Sequence, residues 1–425
     1  MNRNNFQKAL RGEVSVESRS LETLDALATV DMSHDVGLDL QSLDQQMQKL
    51  DALIHLQSVA ALVPKHSMES LAYVEAALSA VGEAAALPSL ESYKDTTLAT
   101  EGLGDRIRQL IANIRAFLAR IVVKIKAFFG ALGEDASQLQ FRLELARDLH
   151  KELSGRFPKK SQVQLGQTAL MLAMREGIPN DARLIMTYGR NIETQLKSLR
   201  TNYIPSVKTV GSGLADLLKH PAIGADQGDG WLDKMTQVCA PMSFDRLKQV
   251  IGPLSRMVDS RFTVNSAYMG PPILGGRALV LLDGRVDHSG SDPISRAMAA
   301  RHTKFVFVRP YQAKQVDTSM AVMPTIPHTL IGGVLDLAQD LLTEVGHSQG
   351  EGLRSSLVEM DRQLDALAKQ VPDAVGNVNA IQVGLGFGTS FSQWCTAPYL
   401  EMISHTLSVV NALIIASNKH MAAYR

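Results

Sequence analysis

The chain has 425 residues, 45% of them apolar and only 5% aromatic, so two to four structural units are expected at roughly 100–200 residues each, with cores of Leu, Val, Ile, Ala and Met. Lysine plus arginine number 43 and aspartate plus glutamate also 43, a zero balance that argues against a dedicated nucleic-acid binder. Two distant cysteines, Cys239 and Cys395, exclude a disulfide scaffold or a zinc module, and with no signal-like start and no run of 18 apolar residues, neither secretion nor a membrane span is expected.

The zero balance hides a boundary. Residues 1–101 carry 7 basic and 15 acidic side chains, a net of −8, whereas residues 102–425 carry 36 and 28, a net of +8. An acidic leader therefore precedes a basic body, and the two attract each other while favouring different partners. Within the leader, Leu40, Leu43, Met47, Leu50, Ile54 and Val59 recur at near-helical spacing, predicting a helix over Leu40–Leu62 that Pro64 stops. A second helix is predicted over Met68–Ala86, ended by Pro88. Two short helices do not hold a core of their own, so the leader reads as a helical subdomain or a loose tail.

A tripeptide recurs in this leader. Five of its eight glutamates stand two positions after a small residue: Ser15-Val-Glu17, Ser20-Leu-Glu22, Ser67-Met-Glu69, Ser89-Leu-Glu91 and Ala99-Thr100-Glu101. None of the nine glutamates of the body does. A protease with a small-residue subsite and a basic pocket for a P1 carboxylate would read this pattern in an extended, accessible segment. The last copy runs into Gly102-Leu-Gly104, which reads as a flexible linker suited to an active-site cleft. The competing reading is composition alone, since Ser, Ala and Glu are common on helix surfaces.

From Ile107 to Leu132 the apolar positions advance by threes and ones in one continuous helical stripe, with Asp105 suited to the N-terminus and Gly130 or Gly133 to the C-terminus. Its polar face is basic: Arg106, Arg108, Arg115, Arg120, Lys124 and Lys126. Such a helix lies on an anionic membrane, faces nucleic acid, or packs its stripe on the body and leaves its cations in water. Helices are predicted next over Ala136–Leu153, over Gln162–Glu176 between Pro158 and Pro179, and over 181–219 with a break at Pro205.

The region 261–316 changes period. Arg277–Asp283 and Thr303–Arg309 read as strands, with Arg261–Val264 as a further one, predicting a small antiparallel sheet. Helices resume over Ile331–Val345, Leu353–Val371 and Tyr399–Met421. The fold class is therefore mainly α with a small antiparallel β element around residues 260–316 (α+β). The units are a leader (1–101), a basic amphipathic helix (102–133), a helical body (134–260), a β-containing region (261–316) and a C-terminal helical region (317–425).

Chemistry is sparse. Asp283, Asp287, His288 and Asp292 crowd one loop that would suit a metal or acid–base work, or simply a solvated turn. Gly384-Leu-Gly-Phe-Gly-Thr-Ser390 lacks the Lys-Ser/Thr ending of a phosphate loop and reads as a connector. Trp394 and Cys395 read as core or as a partner contact. No nucleophile–base set has supporting spacing, so no enzyme, cofactor or metal is expected.

An acidic helical leader with repeated Ser/Ala-x-Glu, a Glu101-Gly102 junction and a basic amphipathic helix carrying the pair Phe128-Phe129 resembles internal head (inner-body) proteins of phiKZ-like giant tailed phages. The specific part of the likeness spans residues 85–135; beyond it lies only a helical body of suitable size. The resemblance implies a virion structural protein inside the capsid. It implies that the phage's prohead protease removes the leader during maturation, cutting at Ala99-Thr100-Glu101 before Gly102, with Ser89-Leu-Glu91 as an earlier cut. It implies a leader that directs the protein into the prohead while still in the host cytoplasm, and a mature body that stays with other inner-body or capsid proteins and the genomic DNA, or is ejected with it. Two other readings stand beside it: a membrane-active protein using helix 103–132 during genome delivery, and an enzyme using the Asp283–Asp292 loop.

Overall fold

A computed structural model describes residues 27–62, 96–219, 228–250, 253–257, 266–283, 303–309, 316–347 and 378–425, with single positions between 355 and 363; residues 54–62, 96–108 and 378–383 are described by backbone alone. The predicted helix Met68–Ala86, the strand Arg261–Val264 and nearly all of Leu353–Val371 lie outside the described residues.

Among the described residues two long helices come first. Helix α1 spans Ala28–Leu62 and α2 spans Thr96–Glu152, 57 residues. Buried positions on α1 are Val36, Leu40, Leu43, Met47, Leu50 and Leu53, and on α2 they include Leu118, Ile121, Ile125, Phe128 and Leu132. The alternating steps of three and four are those of helices packed side by side along a shared seam. The expected stop at Gly130 or Gly133 does not occur, and the amphipathic helix and Ala136–Leu153 are one helix. A glycine inside a helix costs only about 1 kcal/mol and does not remove a hydrogen bond. The stripe carries on through Leu132, Leu139 and Leu143, so burial outweighs that cost.

Beyond α2 the short strand β1 (Gln162–Gln164) and the single-turn helix α3 (Thr168–Leu172) replace the helix predicted over 162–176. The alternation Gln-Val-Gln buries only Val163, which is strand periodicity. Helix α4 (Ala182–Ser198) runs through a π-helical turn, Leu199–Tyr203, into α5 (Ile204–Lys219). Pro205 therefore does not break the chain: the wider turn just ahead of it accommodates the residue that lacks an N–H. Arg200 in that turn donates to Glu344 at 2.6 Å. Helices α6 (Gly228–Cys239) and α7 (Phe244–Lys248) follow.

The β element is a four-stranded antiparallel sheet in the order β2 (Ser255–Met257), β3 (Ser266–Met269), β4 (Ala278–Asp283), β5 (Lys304–Val308). Tyr268 sits opposite Leu281, and Leu281 opposite Phe305. One face sends Leu279, Leu281, Phe305 and Phe307 into the main core, and the other packs Ala267, Val280 and Leu282 in a small second cluster. A separate antiparallel pair joins β1 to β6 (Val322–Pro324).

Helix α8 (His328–His347) packs on α2 and α4. A Cβ on Gly189 would stand 2.3 Å from Leu337 Cδ2, so the approach of α4 to α8 requires glycine there. His150 of α2 and His328 of α8 stack at 3.8 Å, each Nε2 2.8 Å from the other's backbone oxygen. The centre is filled by α9 (Val378–Thr396) and α10 (Tyr399–Ala422). The expected connector Gly384–Ser390 is helix, part of α9. Its hydroxyls bond back to carbonyls four residues earlier, Thr389 to Leu385 and Ser390 to Gly386, both at 3.0 Å. Small side chains whose polar atoms are satisfied locally can occupy a core, and burial overrides the poor helix propensity of the glycines. By length and composition alone the stretch Gly384–Ala422 could cross a membrane, and 89% of its most apolar window is buried inside the protein, as in a core helix.

Candidate functional site: the leader interface and the Glu101 junction

Helix α1 is seated on α2, α9 and α10. At its start, the Thr29 backbone N–H and hydroxyl donate to Asp135 Oδ2 at 3.0 and 2.8 Å, and both residues are buried. The Asp135 carboxylate thus satisfies an N–H of the first turn that has no partner within its own helix, from 106 positions away. The Ser404 hydroxyl on α10 donates to the Thr29 carbonyl at 3.0 Å. About three turns further on, Lys124 Nζ stands 2.8 Å from Asp39. Gln393 of α9 donates to Asp44 at 2.5 Å, and Lys304 of β5 lies 3.8 Å from the same carboxylate. The leader's acids thus meet the body's cations at defined positions. The leader helix belongs to the main core, with Leu43 and Leu50 fully buried.

Thr29 beside Asp135 and Asp39 beside Lys124 fix α1 and α2 as antiparallel. Continued at the same rise on both helices, this register brings the end of α1 level with the first turns of α2. Those turns hold Ala99, Thr100, Glu101 and Gly102. The junction is therefore helical, and Gly102-Leu-Gly104 is not the extended linker expected from its composition. It still lies in the opening turns of the helix, whose first N–H groups lack intrahelical partners and which opens most readily. Ser89 and Glu91 lie outside the described residues.

The expected basic face is only partly free. Lys124 is committed to Asp39. Arg120 is exposed, with its guanidinium 4.1 Å over the Phe117 ring. Arg115 is half-buried, Lys126 is exposed, and both have partners within the protein. The side chains of Arg106 and Arg108 fall outside the description. The stripe itself is core, with Ile114, Ile121 and Phe128 fully buried.

Of the acidic loop, Asp283 ends β4 and is buried, while Asp287, His288 and Asp292 lie outside the described residues. Among the described residues no group of three His, Cys, Asp or Glu side chains could hold a metal ion. Trp394 and Cys395 are core, the indole N–H donating to the Thr303 carbonyl at 3.3 Å. Both thiols, Cys239 and Cys395, are buried, and burial pushes their pKa values far up, away from the thiolate form.

One buried polar group had no sequence signal beyond isolated residues. His405 accepts burial on all sides, with Nε2 2.8 Å from the Leu274 carbonyl, and burial, helped by Arg277, pushes its pKa down to about 3. Burial also lowers Arg277, which lies over the Phe307 ring, and raises Glu401. These groups tie α10 to the sheet and have a structural geometry.

The chain matches the family described as phiKZ-like phage internal head proteins over residues 7–416. No curated relative and no solved structure matches it.

Proposed function

The chain belongs to the phiKZ-like phage internal head proteins, structural components of the virion's head interior that associate with other capsid components, and from that premise we propose that its acidic leader is cut by the prohead protease during maturation. The cut that separates leader from body falls between Glu101 and Gly102, after Ala99-Thr100-Glu101. A further cut follows Ser89-Leu-Glu91. The protein enters the prohead from the host cytoplasm with its leader attached. The processed basic body then stays with the inner body or the genome until the genome leaves the head.

One observation carries this reading: all five Ser/Ala-x-Glu tripeptides precede residue 102, none follows it, and the net charge changes from −8 to +8 at the same place. Its position in the first turns of α2 supports it, because only a short stretch of helix has to open for the chain to enter a cleft. A membrane role for 103–132 draws no support from the geometry, since the stripe that would enter lipid is packed against α1, α9 and α10.

The test is mass spectrometry of purified particles digested with trypsin. A peptide beginning at Gly102 is expected as a major species. A peptide running across Glu101-Gly102 as the main species would overturn the reading.

A further inference from the structure

We infer that processing leaves α1 in place: the mature protein is two chains, a docked segment of residues 23–69 held on the body 102–425. The inference rests on the cleavage reading above and changes its outcome.

The five tripeptides are not spread evenly through the leader. Two end at Glu17 and Glu22, and three end at Glu69, Glu91 and Glu101. They bracket α1, which spans Ala28–Leu62. Between Thr23 and Met68 there is no glutamate at all, although six aspartates stand there: Asp25, Asp31, Asp35, Asp39, Asp44 and Asp51. Two of these complete the spacing with the shorter acid, in Ser33-His-Asp35 and Ser42-Leu-Asp44. Glutamate is the better helix former, so using only aspartate along a 35-residue helix runs against propensity. A protease pocket that requires the longer carboxylate explains the choice, because it finds no site inside α1.

The structure supplies the second half of the argument. Cuts after Glu22 and Glu69 free the two ends of the segment, but they remove none of the contacts named above that hold it among the described residues. Val36, Leu40, Leu43, Met47, Leu50 and Leu53 remain buried in the main core. Thr29 remains on Asp135 and Ser404, Asp39 on Lys124, and Asp44 on Gln393. Losing the segment would uncover the buried stripe of α2 along Ile114, Leu118, Ile121 and Ile125 and leave Asp135 without its donors. Maturation therefore trims the flanks of the leader and retains its helix as a structural piece. The retained segment carries two lysines against six aspartates and one glutamate, so it offsets part of the body's positive charge.

Two experiments test this. In purified particles, peptides starting at Thr23 and ending at Glu69 are expected in amounts similar to those of the body, with 1–22 and 70–101 depleted. A Gly102 start without residues 23–69 would overturn the inference and leave the cleavage reading standing. An intact Glu101-Gly102 bond would overturn both. Independently of the phage protease, the full-length chain can carry the recognition sequence of an unrelated protease in place of residues 89–95. After cutting, the N-terminal fragment is expected to co-elute with the body in gel filtration under native conditions. Its separation from a body that remains folded would overturn the inference. Leu43→Asp together with Leu50→Asp is expected to weaken retention by at least roughly a hundredfold, whereas Asp31→Asn, on the solvent side of α1, is expected to leave it unchanged.

Discussion

Thr29 and Asp135 are 106 positions apart, and a single carboxylate oxygen of the second accepts both the backbone N–H and the hydroxyl of the first. The contact begins α1, fixes its register on α2 and sits in the protein interior. Asp135→Ala leaves two buried donors of Thr29 without an acceptor. The expected loss is about 1–3 kcal/mol of unfolding free energy, read from the urea midpoint. An unchanged midpoint would mean that water replaces the carboxylate.

The seam between α1 and α2 makes a larger prediction. Leu50 is fully buried in the main core. Leu50→Ala removes its contacts and opens a cavity, at a cost of about 2–5 kcal/mol. If α1 were a passenger lying outside the core, the same substitution would change the denaturation midpoint very little, so the measurement separates the two descriptions.

Stability is expected to fall in mild acid. Burial holds the His405 pKa at about 3 and the His420 pKa at about 4, both below the ordinary histidine value. Both are neutral in the fold, and the unfolded chain takes up their protons first. Their contribution is complete above the unfolded pKa of about 6.5 and declines as pH falls toward the folded values, by about 1.4 kcal/mol per pH unit for each group. Urea unfolding at pH 7 and pH 5 checks this, and a flat profile between them would contradict the burial of both rings.

Gly275 makes a backbone prediction. Its φ is +81°, and an added Cβ would stand 2.4 Å from His405 Cε1. His405 is itself held by the Leu274 carbonyl, so it has little freedom to move aside. Gly275→Ala is expected to cost at least about 1–2 kcal/mol, seen as a lower thermal midpoint with unchanged helix content.

Period was the part of the fold that could be read directly. The stripe from Ile107 to Leu132 and the runs Arg277–Asp283 and Thr303–Arg309 formed the elements they implied, because apolar residues at helical spacing are buried along a helix face and short apolar runs bounded by turn residues are buried as strands. Endings were harder to read. Gly130, Gly133 and Pro205 are interruptions by composition, yet the helix runs on through the first two and a π turn carries the chain past the third. Gly384–Ser390 misled for the same reason, since hydroxyls that bond to their own helix make a glycine-rich stretch fit for a core.

The amino-acid order alone determined where charge changes sign, where the tripeptides stand, and that glutamate is missing from the segment they enclose; these are properties of a linear chain and need no folding to exist. Only the tertiary structure decided that this acidic helix is core rather than covering. Burial of Leu43 and Leu50 and the reach of Asp135 to Thr29 join residues about a hundred positions apart, and no periodicity within either helix specifies which partner its apolar seam will meet.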